Sequence, residues 1–517
     1  MTTRNDINAA LMRGADTFRD TIDAANYKDY VLSIMFVKYL SDTFDEEVEH
    51  LKSKYTDERR LKRQINRLAF KVKWEHSFKY LYENRYDDTL GQLINTALRG
   101  IEEDNAQQLS GVFRSIDFNS EANLGNRTQR NSILRELLED FENLDLRESM
   151  IEVKKDEVPA DVIGDAYEYM IGEFASRAGK KAGSFFTPTC VSELMARLVP
   201  PISGERVYDP TCGSGSLLIR AAKKGDIDKV SIFGQEVGGS AVSMARMNMF
   251  IHKVRDAKIA WGDTIANPQH KDDDGNLMTF DVIVANMPFS KDKWAINFNP
   301  GGEEDGKGKK WKMEASYDKF HRFDWGVPPA SKGDWAFLLH MINSMSANGR
   351  VAAVAPHGVL FRGAAEGRIR QKVIENGLLD AVIGLPANMF FGTSIPACIL
   401  IFKKNKEDDK VLFIDASNEE HFNKEKNQNK FEEDQIQKIV DAYYAREDKD
   451  RFAHLASIKE IKENDYNLNI PRYVDTFEEE ELIDIKEVQM NIKNIKDELK
   501  EVEAKMEQYM KELGLEV

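Results

Sequence analysis

The sequence predicts a doubly wound α/β sheet, preceded by a helical N-terminal domain and followed by one long C-terminal helix. Two observations carry this prediction. Between residues 206 and 402, short apolar segments of strand length alternate with segments whose apolar residues recur at helical spacing. Several of the short segments end abruptly in an acidic or amide residue, and open α/β sheets bind ligands at the carboxyl ends of their strands. We therefore expect a functional site along one edge of the sheet.

Residues 1–160 are predicted to form the helical domain, because they contain no convincing strand. Apolar residues recur at helical spacing in two segments, which are Tyr30, Ile34, Val37, Leu40 and Phe44, and then Ile133, Leu137, Phe141 and Leu144. The domain also contains the basic run Arg59-Arg60-Leu61-Lys62-Arg63. Such a run can contact a phosphate backbone, but it more often forms a solvated helix face, which is the interpretation that we favour.

The bulk composition is typical of a soluble enzyme of two or three domains, with 517 residues of which 42% are hydrophobic. The formal net charge of −16 repels DNA over most of the surface. Either the substrate is not DNA, or another chain supplies the DNA-binding surface. No apolar run reaches membrane-spanning length and the N-terminus has no apolar signal core, so we expect a cytoplasmic protein. The three cysteines, Cys190, Cys212 and Cys398, lack the spacing of a zinc site, and no metal site is predicted.

A first candidate binding segment precedes the sheet at residues 184–189. The pattern predicts that a helix begins there, with Thr187 as the N-cap and Pro188 at the first helical position. Its buried face would carry Val191, Leu194, Met195 and Leu198. A helix N-terminus offers free backbone N–H groups to a carboxylate. The neighbouring pair Phe185-Phe186 is equally compatible with an ordinary core position.

Acidic residues stand at the ends of the first three predicted strands, namely Asp209, Glu236 and Asp263. After the first strand, a glycine-rich turn spans residues 213–216 and would let the backbone pass close to a ligand. Leu218 stands where a dinucleotide-binding turn has its third glycine, although this stretch by itself does not exclude a nicotinamide cofactor. Glu236 follows the turn by about 20 residues, where a carboxylate accepts both ribose hydroxyls of a nucleotide. Asp263 is a candidate acceptor for an adenine amino group.

The fourth predicted strand, residues 280–286, ends in the tetrapeptide Asn286-Met287-Pro288-Phe289. This tetrapeptide suits methylation of an amide or exocyclic nitrogen, whose delocalised lone pair becomes nucleophilic when both its protons are hydrogen-bonded. The Asn286 side-chain oxygen and the Met287 carbonyl are candidate acceptors, and Pro288 biases its predecessor to an extended conformation. Phe289 offers a ring for stacking a planar substrate, and a base in a duplex would have to flip out. Taken by itself, the tetrapeptide is equally compatible with a strand-ending turn.

Residues 290–333 form a long insertion, which we interpret either as a mobile lid or as a disordered segment without function. Its part at residues 301–310 nearly spells a phosphate-binding loop, but Gly308 stands where Ser or Thr would ligate magnesium, and no strand precedes it. We therefore reject ATP binding.

The C-terminal segment carries a sustained heptad pattern. Its apolar residues are Ile485, Val488, Ile492, Ile495, Leu499, Val502, Met506, Tyr509 and Leu513. Such a stripe must pack on another helix, which lies either in this chain or in a partner, and we favour a partner.

Several of these segments together resemble a known family. Asn286-Met287-Pro288-Phe289 is similar to the Asn-Pro-Pro-Phe/Tyr signature of amino-directed S-adenosylmethionine-dependent methyltransferases. The blocks at residues 183–188, 209–216, 358–363 and 385–393 stand in the order seen in the modification (M) subunits of type I restriction-modification systems. The resemblance runs from about the N-terminal helices to about Ser417.

The resemblance implies a Rossmann-like S-adenosylmethionine-dependent methyltransferase domain over residues 161–417. Beyond it, the charged composition predicts a linker and mixed segment over residues 418–475, and the heptad pattern predicts an assembly helix over residues 476–517. The cofactor-binding residues that it implies are Ser184, Phe185, Phe186, Thr187, Pro188, Thr189, Asp209, Gly213, Ser214, Gly215, Ser216, Glu236 and Asp263. The catalytic residues that it implies are Asn286, Met287, Pro288 and Phe289. Met287 replaces the commoner first proline. Asn286 favours adenine N6, because enzymes that methylate cytosine N4 usually have Ser there.

The implied function is methylation of a flipped adenine in DNA, which protects host DNA from restriction. The implied partners are DNA, a specificity (S) subunit that recognises the sequence, and a restriction (R) subunit in the full complex, with two copies of this chain per specificity subunit. Two alternatives stay open at this point. One is a protein glutamine methyltransferase, and the other is a scaffold that binds the cofactor without catalysis.

Overall fold

The computed structural model describes residues 1–19, 21–155, 157–178, 186–298, 312–425, 428–475 and 485–514. The chain forms two compact units, which comprise residues 1–474 and 475–517. Among the helices of the described segments, none is long and apolar enough to cross a membrane.

Helices build the N-terminal region of the first unit, as the spacing of its apolar residues predicts. They are α1 (Arg4–Thr17), α2 (Ala24–Lys54), α3 (Glu58–Ile65), α4 (Phe78–Glu83), α5 (Leu90–Asp104), α6 (Ala106–Leu109), α7 (Glu121–Leu124) and α8 (Arg127–Glu142). The apolar stripe of α2 packs in a core that α8 and α9 (Pro159–Ala178) share. Helix α3, which carries the basic run, buries none of its residues.

A sheet with covering helices follows. The elements of this region are α10 (Thr189–Leu198), β1 (Arg206–Asp209), α11 (Ser216–Lys224), β2 (Ser231–Glu236), α12 (Gly239–Ile251), β3 (Lys258–Trp261), β4 (Phe280–Asn286), α13 (Asp334–Asn343), β5 (Met345–Pro356), α14 (Gly358–Phe361), α15 (Ala364–Glu375), β6 (Leu379–Gly384), β7 (Ala397–Lys403), β8 (Val411–Asp415), β9 (Asn423–Lys424), β10 (Asn429–Lys430), α16 (Glu433–Ala445), β11 (Ala453–Ala456) and α17 (Ile458–Glu463). Strands β9 and β10 form a separate two-stranded sheet. Apolar clusters cover both faces of this sheet. Val282 and Val284 of β4 face one cluster, whereas Ile283 and Ala285 face the other, because successive side chains of a strand point to opposite faces. The predicted α/β fold is therefore confirmed.

The strand order across the nine-stranded sheet is β11-β8-β6-β7-β5-β4-β1-β2-β3. Strand β7 runs antiparallel between β5 and β6, and β11 runs antiparallel to β8. Strands β1 to β3 extend in one direction from the middle of the sheet, and β4 and β5 extend in the other. The chain therefore changes direction between β1 and β4, whose register pairs Val207 with Val282. Such a switch point opens a crevice at the carboxyl ends of the two strands.

Two local expectations differ from the structure. Thr187 is not the N-cap of α10, because the helix begins at Thr189 and Pro188 occupies the cap position. Strand β3 ends at Trp261, so Asp263 lies two residues beyond the strand. Residues 418–475, which we interpreted as a linker and mixed segment, contain α16, whose apolar residues join one of the core clusters, and β11, which pairs with β8 at the edge of the sheet.

The second unit contains α18 (Ile485–Glu512). The predicted stripe lies on this helix, and its side chains from Val488 to Leu513 are 41–74% exposed within the chain. The helix thus carries an apolar stripe that is open to solvent.

Candidate functional site

A cavity of about 250 Å³ lies at the carboxyl ends of β1, β2 and β4. The sequence-predicted site residues that line it are Phe186, Thr187, Asp209, Gly213, Ser214, Ser216, Glu236, Asp263, Asn286 and Pro288. Segments separated by about a hundred positions in the chain thus meet in one place. The predicted alignment of strand ends along one crevice is what brings them together.

The glycine-rich turn forms the floor between β1 and α11. Gly213 and Gly215 both adopt positive φ angles, of 53° and 78°, which a residue with a Cβ rarely adopts. The buried Asn248 of α12 supports the turn, since its side-chain Nδ2 donates to the Ser214 carbonyl at 3.1 Å and to the Ser216 hydroxyl at 3.3 Å. Gly215 itself is not part of the cavity wall but caps the N-terminus of α11. The turn therefore presents backbone close to whatever occupies the cavity.

Asp209 ends β1 with a side chain that is almost fully buried, and the residue is 2% exposed. Its Oδ1 accepts hydrogen bonds from the backbone N–H of Thr211 at 2.8 Å and, more weakly, from the Thr211 hydroxyl at 3.4 Å. Burial raises the pKa of Asp209 to about 8, and the negative charge of Glu236 adds to the shift. Within the described segments no Lys, Arg or His forms an ion pair with it. A ligand that carries a positive charge would match this carboxyl group.

Glu236 ends β2 and is held by backbone donors on both sides. Its Oε2 accepts from the N–H of Gly213 at 3.1 Å, and its Oε1 accepts from the N–H of Gly238 at 2.7 Å. Burial raises its pKa, while these backbone donors oppose the shift. The carboxylate is thus fixed against the glycine-rich turn, and its remaining lone pairs are available to hydroxyl donors.

Asp263 lies in the turn that follows β3. Its Oδ1 accepts from the backbone N–H groups of Ile265 and Ala266, at 2.9 and 3.1 Å. Its Oδ2 accepts from the side-chain Nδ2 of Asn297 at 2.6 Å, and Asn297 belongs to the insertion after β4. The insertion therefore already contacts the carboxylate that we expected to bind an adenine amino group.

Asn286 ends β4, and its side chain is held by a residue 99 positions away. The Asn286 Nδ2 donates to the Thr187 hydroxyl at 3.1 Å. Among the described residues, none donates a hydrogen bond to the Asn286 Oδ1. The contact with Thr187 therefore uses the donor side of the amide and leaves the acceptor side available in the cavity.

The rest of the tetrapeptide is divided between the cavity and the core. Met287 is 1% exposed, so its side chain anchors the loop, while Pro288 lines the cavity. Phe289 does not line the cavity; its ring meets the ring of Phe390 edge to face, with 5.7 Å between centroids. The buried side chain of Met287 and the contact between the Phe289 and Phe390 rings thus hold the loop in place.

The segment before α10 is only partly described, because Ser184 and Phe185 lie outside the described residues. Phe186 lines the cavity and lies 5.8 Å from Phe391 between ring centroids. Pro188 and Thr189 instead line a second groove, which also includes Phe186. Of this block, Phe186 and Thr187 are thus the residues placed at the cavity.

The described part of the insertion is anchored in the core, which our lid interpretation did not anticipate. Arg322 and Asp318 form an ion pair at 2.8 Å, with side chains that are 0% and 1% exposed. Arg322 also donates to the carbonyl of Ile265 at 2.6 Å and contacts His340 at 3.1 Å. These contacts brace the turn that carries Asp263. The basic part of the insertion, residues 301–310, lies outside the described residues.

Sequence reasoning missed several residues of the cavity wall. They are Pro210, Thr211, Cys212, Leu217, Val237, Thr264, Ile265, Lys291, Trp294 and Phe337. Val237 and Ile265 follow predicted strand ends, so their position in the chain was a usable signal. No local sequence signal marked Phe337 and Trp294, because long-range packing places them at the cavity. In the described segments no group of three or more His, Cys, Asp or Glu side chains has the arrangement of a metal site.

Comparison with known proteins assigns the chain to a family. The profile of the N-6 DNA methylase family matches residues 158–482, and that of the HsdM N-terminal domain matches residues 7–141. The chain is 32% identical to the type I restriction enzyme MpnII methylase subunit of Mycoplasma pneumoniae, over 99% of this chain and 97% of the relative. It is 31% identical to the MjaVIII methylase subunit of Methanocaldococcus jannaschii, over 98% and 84%. The crystal structure of a type I restriction-modification methyltransferase subunit from Streptococcus thermophilus matches with a TM-score of 0.78 and 36% identity, over 92% of this chain and 100% of that chain.

Proposed function

This chain belongs to the family of type I restriction-modification methylase subunits, and from that premise we propose that it transfers a methyl group from S-adenosylmethionine to the N6 amine of adenine in DNA. One observation carries the proposal. The Asn286 amide is oriented by Thr187 so that its oxygen is available in a cavity that also contains three carboxyl groups. An amide acceptor beside an acidic crevice at the ends of the strands suits methyl transfer to a weakly nucleophilic nitrogen.

The cavity fits the cofactor by the chemistry of its donors and acceptors. The buried carboxyl of Asp209, which has no cationic partner within the described segments, matches the positively charged end of the cofactor. Glu236 matches the ribose hydroxyls, and Asp263 matches the adenine amino group. The turn of Gly213, Ser214, Gly215 and Ser216 gives the backbone close access. In this proposal Phe186 and Thr187 complete the wall. For Ser184, Phe185, Pro188 and Thr189 of the same block, cofactor binding stays a prediction from the family resemblance, and Pro188 and Thr189 line the second groove. When bound, S-adenosylmethionine supplies an electrophilic methyl group.

The tetrapeptide would act on the substrate amine. The two N6 N–H groups donate hydrogen bonds, one to the Asn286 Oδ1 and one to the Met287 carbonyl. These bonds draw the nitrogen toward tetrahedral geometry and free its lone pair. The freed lone pair would accept the methyl group that the bound cofactor supplies, and one N6 proton would then be lost to the solvent. Pro288 keeps the Met287 carbonyl in place. The target base must leave the duplex to reach these groups, and Phe289 is the proposed stacking surface.

The proposal includes partner chains. A net charge of −16 disfavours strong binding of DNA by this chain, so sequence recognition is assigned to a specificity subunit. The exposed stripe of α18 is the proposed contact, because such a stripe buries its apolar residues against another helix. Two copies of this chain per specificity subunit, and a restriction subunit in the full complex, complete the assembly. The DNA substrate implies a cytoplasmic location.

Methyl transfer tests the chemistry. Tritiated S-adenosylmethionine is incubated with unmodified DNA and either this chain or its complex with the specificity subunit encoded beside it. We expect label in N6-methyladenine after nuclease digestion, and only with the complex. Asn286→Ala should assemble normally and lose transfer. Label in protein would instead favour a glutamine methyltransferase, and an Asn286→Ala complex with full activity would exclude the assigned role.

Co-purification tests the partner contact. Ile495→Asp places a charge on the stripe of α18 and should weaken capture of the specificity subunit, while Lys493→Asp, which lies off the stripe, should not. Equal capture of both variants would contradict the assembly role of the stripe.

A further inference from the structure

A buried carboxylate outside the cavity holds the end of the tetrapeptide. Asp334 stands at the start of α13 and is 0% exposed. Its Oδ1 accepts a hydrogen bond from the backbone N–H of Ser290 at 2.6 Å. Ser290 is the residue that directly follows Phe289, and its φ angle is +50°. That region of backbone conformation is uncommon for residues other than glycine, so a contact that holds it there fixes the direction of the chain after the tetrapeptide.

The second oxygen of the same carboxylate binds an arginine. Arg362 donates from Nη2 to the Asp334 Oδ2 at 2.7 Å, and its side chain is 22% exposed. Arg362 also lies 3.2 Å from the carboxylate of Glu366. It approaches the backbone so closely that a Cβ at Gly358 would lie 2.7 Å from the guanidinium group. Residues 358–363 form a block that the family resemblance singled out and for which the cavity provides no role, since none of them lines it.

The two contacts make one continuous connection from Arg362 through Asp334 to Ser290. A buried carboxyl group that is bonded on both oxygens has little freedom to move, and a hydrogen bond from an arginine is stronger than one between neutral groups. The Met287 carbonyl and the Asn286 Oδ1 can polarise an amine only from defined positions, and a displacement of about 1 Å can lower a rate about a hundredfold. Met287 anchors the loop in the core and Phe289 packs against Phe390, and the contact of Ser290 with Asp334 fixes the direction of the backbone directly after them.

We propose that Asp334 and Arg362 are positioning residues for methyl transfer, which clamp the Ser290 N–H and thereby fix the turn of residues 286–289. This inference rests on the proposed function for its kinetic consequence, but the clamp itself is a property of the chain. Neither residue lines the cavity, so the clamp acts on the placement of the acceptors and leaves cofactor binding largely unchanged.

The kinetic test uses the complex with the specificity subunit. Asp334→Asn keeps an acceptor for Ser290 and removes the charge that holds Arg362, while Arg362→Gln removes the other half of the pair from a partly exposed position. Each should lower kcat about tenfold or more, change the Kd for S-adenosylmethionine less than about threefold, and give a non-additive double variant. Ser290→Gly, which adopts positive φ freely, should restore part of the activity of Asp334→Asn.

The matched control is Asp380→Asn, since Asp380 is a buried carboxylate that pairs with Arg446 at 2.9 Å far along the sheet in β6. It should lower thermal stability without lowering kcat. If Asp334→Asn and Arg362→Gln leave kcat unchanged in an active complex, or lower it no more than Asp380→Asn does, the positioning role is overturned.

Amide hydrogen exchange separates the clamp from the proposed function. Residues 286–290 should exchange faster in Asp334→Asn and Arg362→Gln than in the wild type or in Asp380→Asn. A wild-type complex without methyl transfer would refute the proposed function and not the clamp, whereas unchanged exchange in these variants would refute the clamp whether or not the complex is active.

Discussion

Binding of S-adenosylmethionine is expected to release a proton from Asp209. The pKa of this buried carboxyl is raised to about 8 because it has been removed from water, with Glu236 as a further negative charge. At pH 7 such a group is protonated in about nine-tenths of the molecules. A cationic ligand group beside it favours the charged form and lowers its pKa. The neutral carboxyl must therefore ionise as the ligand binds.

The magnitude follows from the pKa. If binding lowers the pKa of Asp209 well below 7, about 0.9 proton is released per cofactor at pH 7, and about 0.1 at pH 9. The affinity should rise about tenfold between pH 6 and pH 7 and level off above pH 8. The free energy of unfolding of the unliganded protein should also depend on pH through Asp209. Since the folded-state pKa lies above the unfolded value of 3.8, the favourable contribution of the protonated carboxyl is lost as the pH rises toward 8.

Isothermal titration calorimetry measures the proton count, because the apparent binding enthalpy varies with the ionisation enthalpy of the buffer. Titrations in phosphate and in Tris at pH 7 give the number of protons for the wild type, and Asp209→Asn gives the number contributed by all other groups. The difference should be close to one proton. Equal proton release by the two proteins, or a cofactor affinity that does not change between pH 6 and pH 8, would refute the reasoning.

Three further outcomes are expected. Thr187→Val removes the acceptor that orients the Asn286 amide and should lower kcat by about 2–13-fold, which corresponds to the ~0.5–1.5 kcal/mol of one hydrogen bond. Thr187→Ser should retain most of the activity. Equal kcat values for the two variants would contradict the orienting role. Gly215→Ala combines a positive φ, whose strain alone costs about 1–2 kcal/mol, with a Cβ that would lie 3.1 Å from the methyl carbon of Met249. In denaturant titrations it should lower the free energy of unfolding by more than Gly204→Ala, where φ is also positive but no atom lies within 4 Å of the added Cβ. Arg322→Met leaves the buried carboxylate of its ion pair without a cation and should lower the free energy of unfolding by about 3–5 kcal/mol, and a loss below 1 kcal/mol would mean that the insertion is not anchored there.

The elements of the sheet could be predicted because their signals are local. The run that becomes β4 is apolar on both faces and stops at Asn286, so its length, its burial and the place where it delivers a polar group all follow from neighbouring residues. The ends of β1 and β2 follow in the same way. The edge strand β11 was missed because it has four residues, two of them only half-buried, and its pairing partner lies more than 30 residues away.

The misassigned residues have partners that are distant in sequence. Thr187 has the pattern of an N-cap, but its hydroxyl accepts from Asn286, which lies 99 positions further on. The insertion resembles a free loop in composition, yet Arg322 binds the backbone of Ile265 and the ring of His340. Asp334 had no predicted role, and its bond to Ser290 joins α13 to the segment after β4, 44 positions earlier in the chain. In each case the polar group bonds to a partner that lies far away in the sequence, so packing and not the local pattern decides that contact.

The sequence by itself determined the alternation of helices and strands from β1 to β7, the residues that end the central strands and the apolar stripe of α18, because hydrophobic periodicity and strand-ending residues act within a few positions of the chain. Only the tertiary structure decided that β1 lies beside β4, that Thr187 turns the Asn286 amide toward the cavity, and that Asp334 holds the turn after it. Those choices depend on contacts between residues about 40 to 100 positions apart, whose geometry follows from how the layers pack and not from any short stretch of chain.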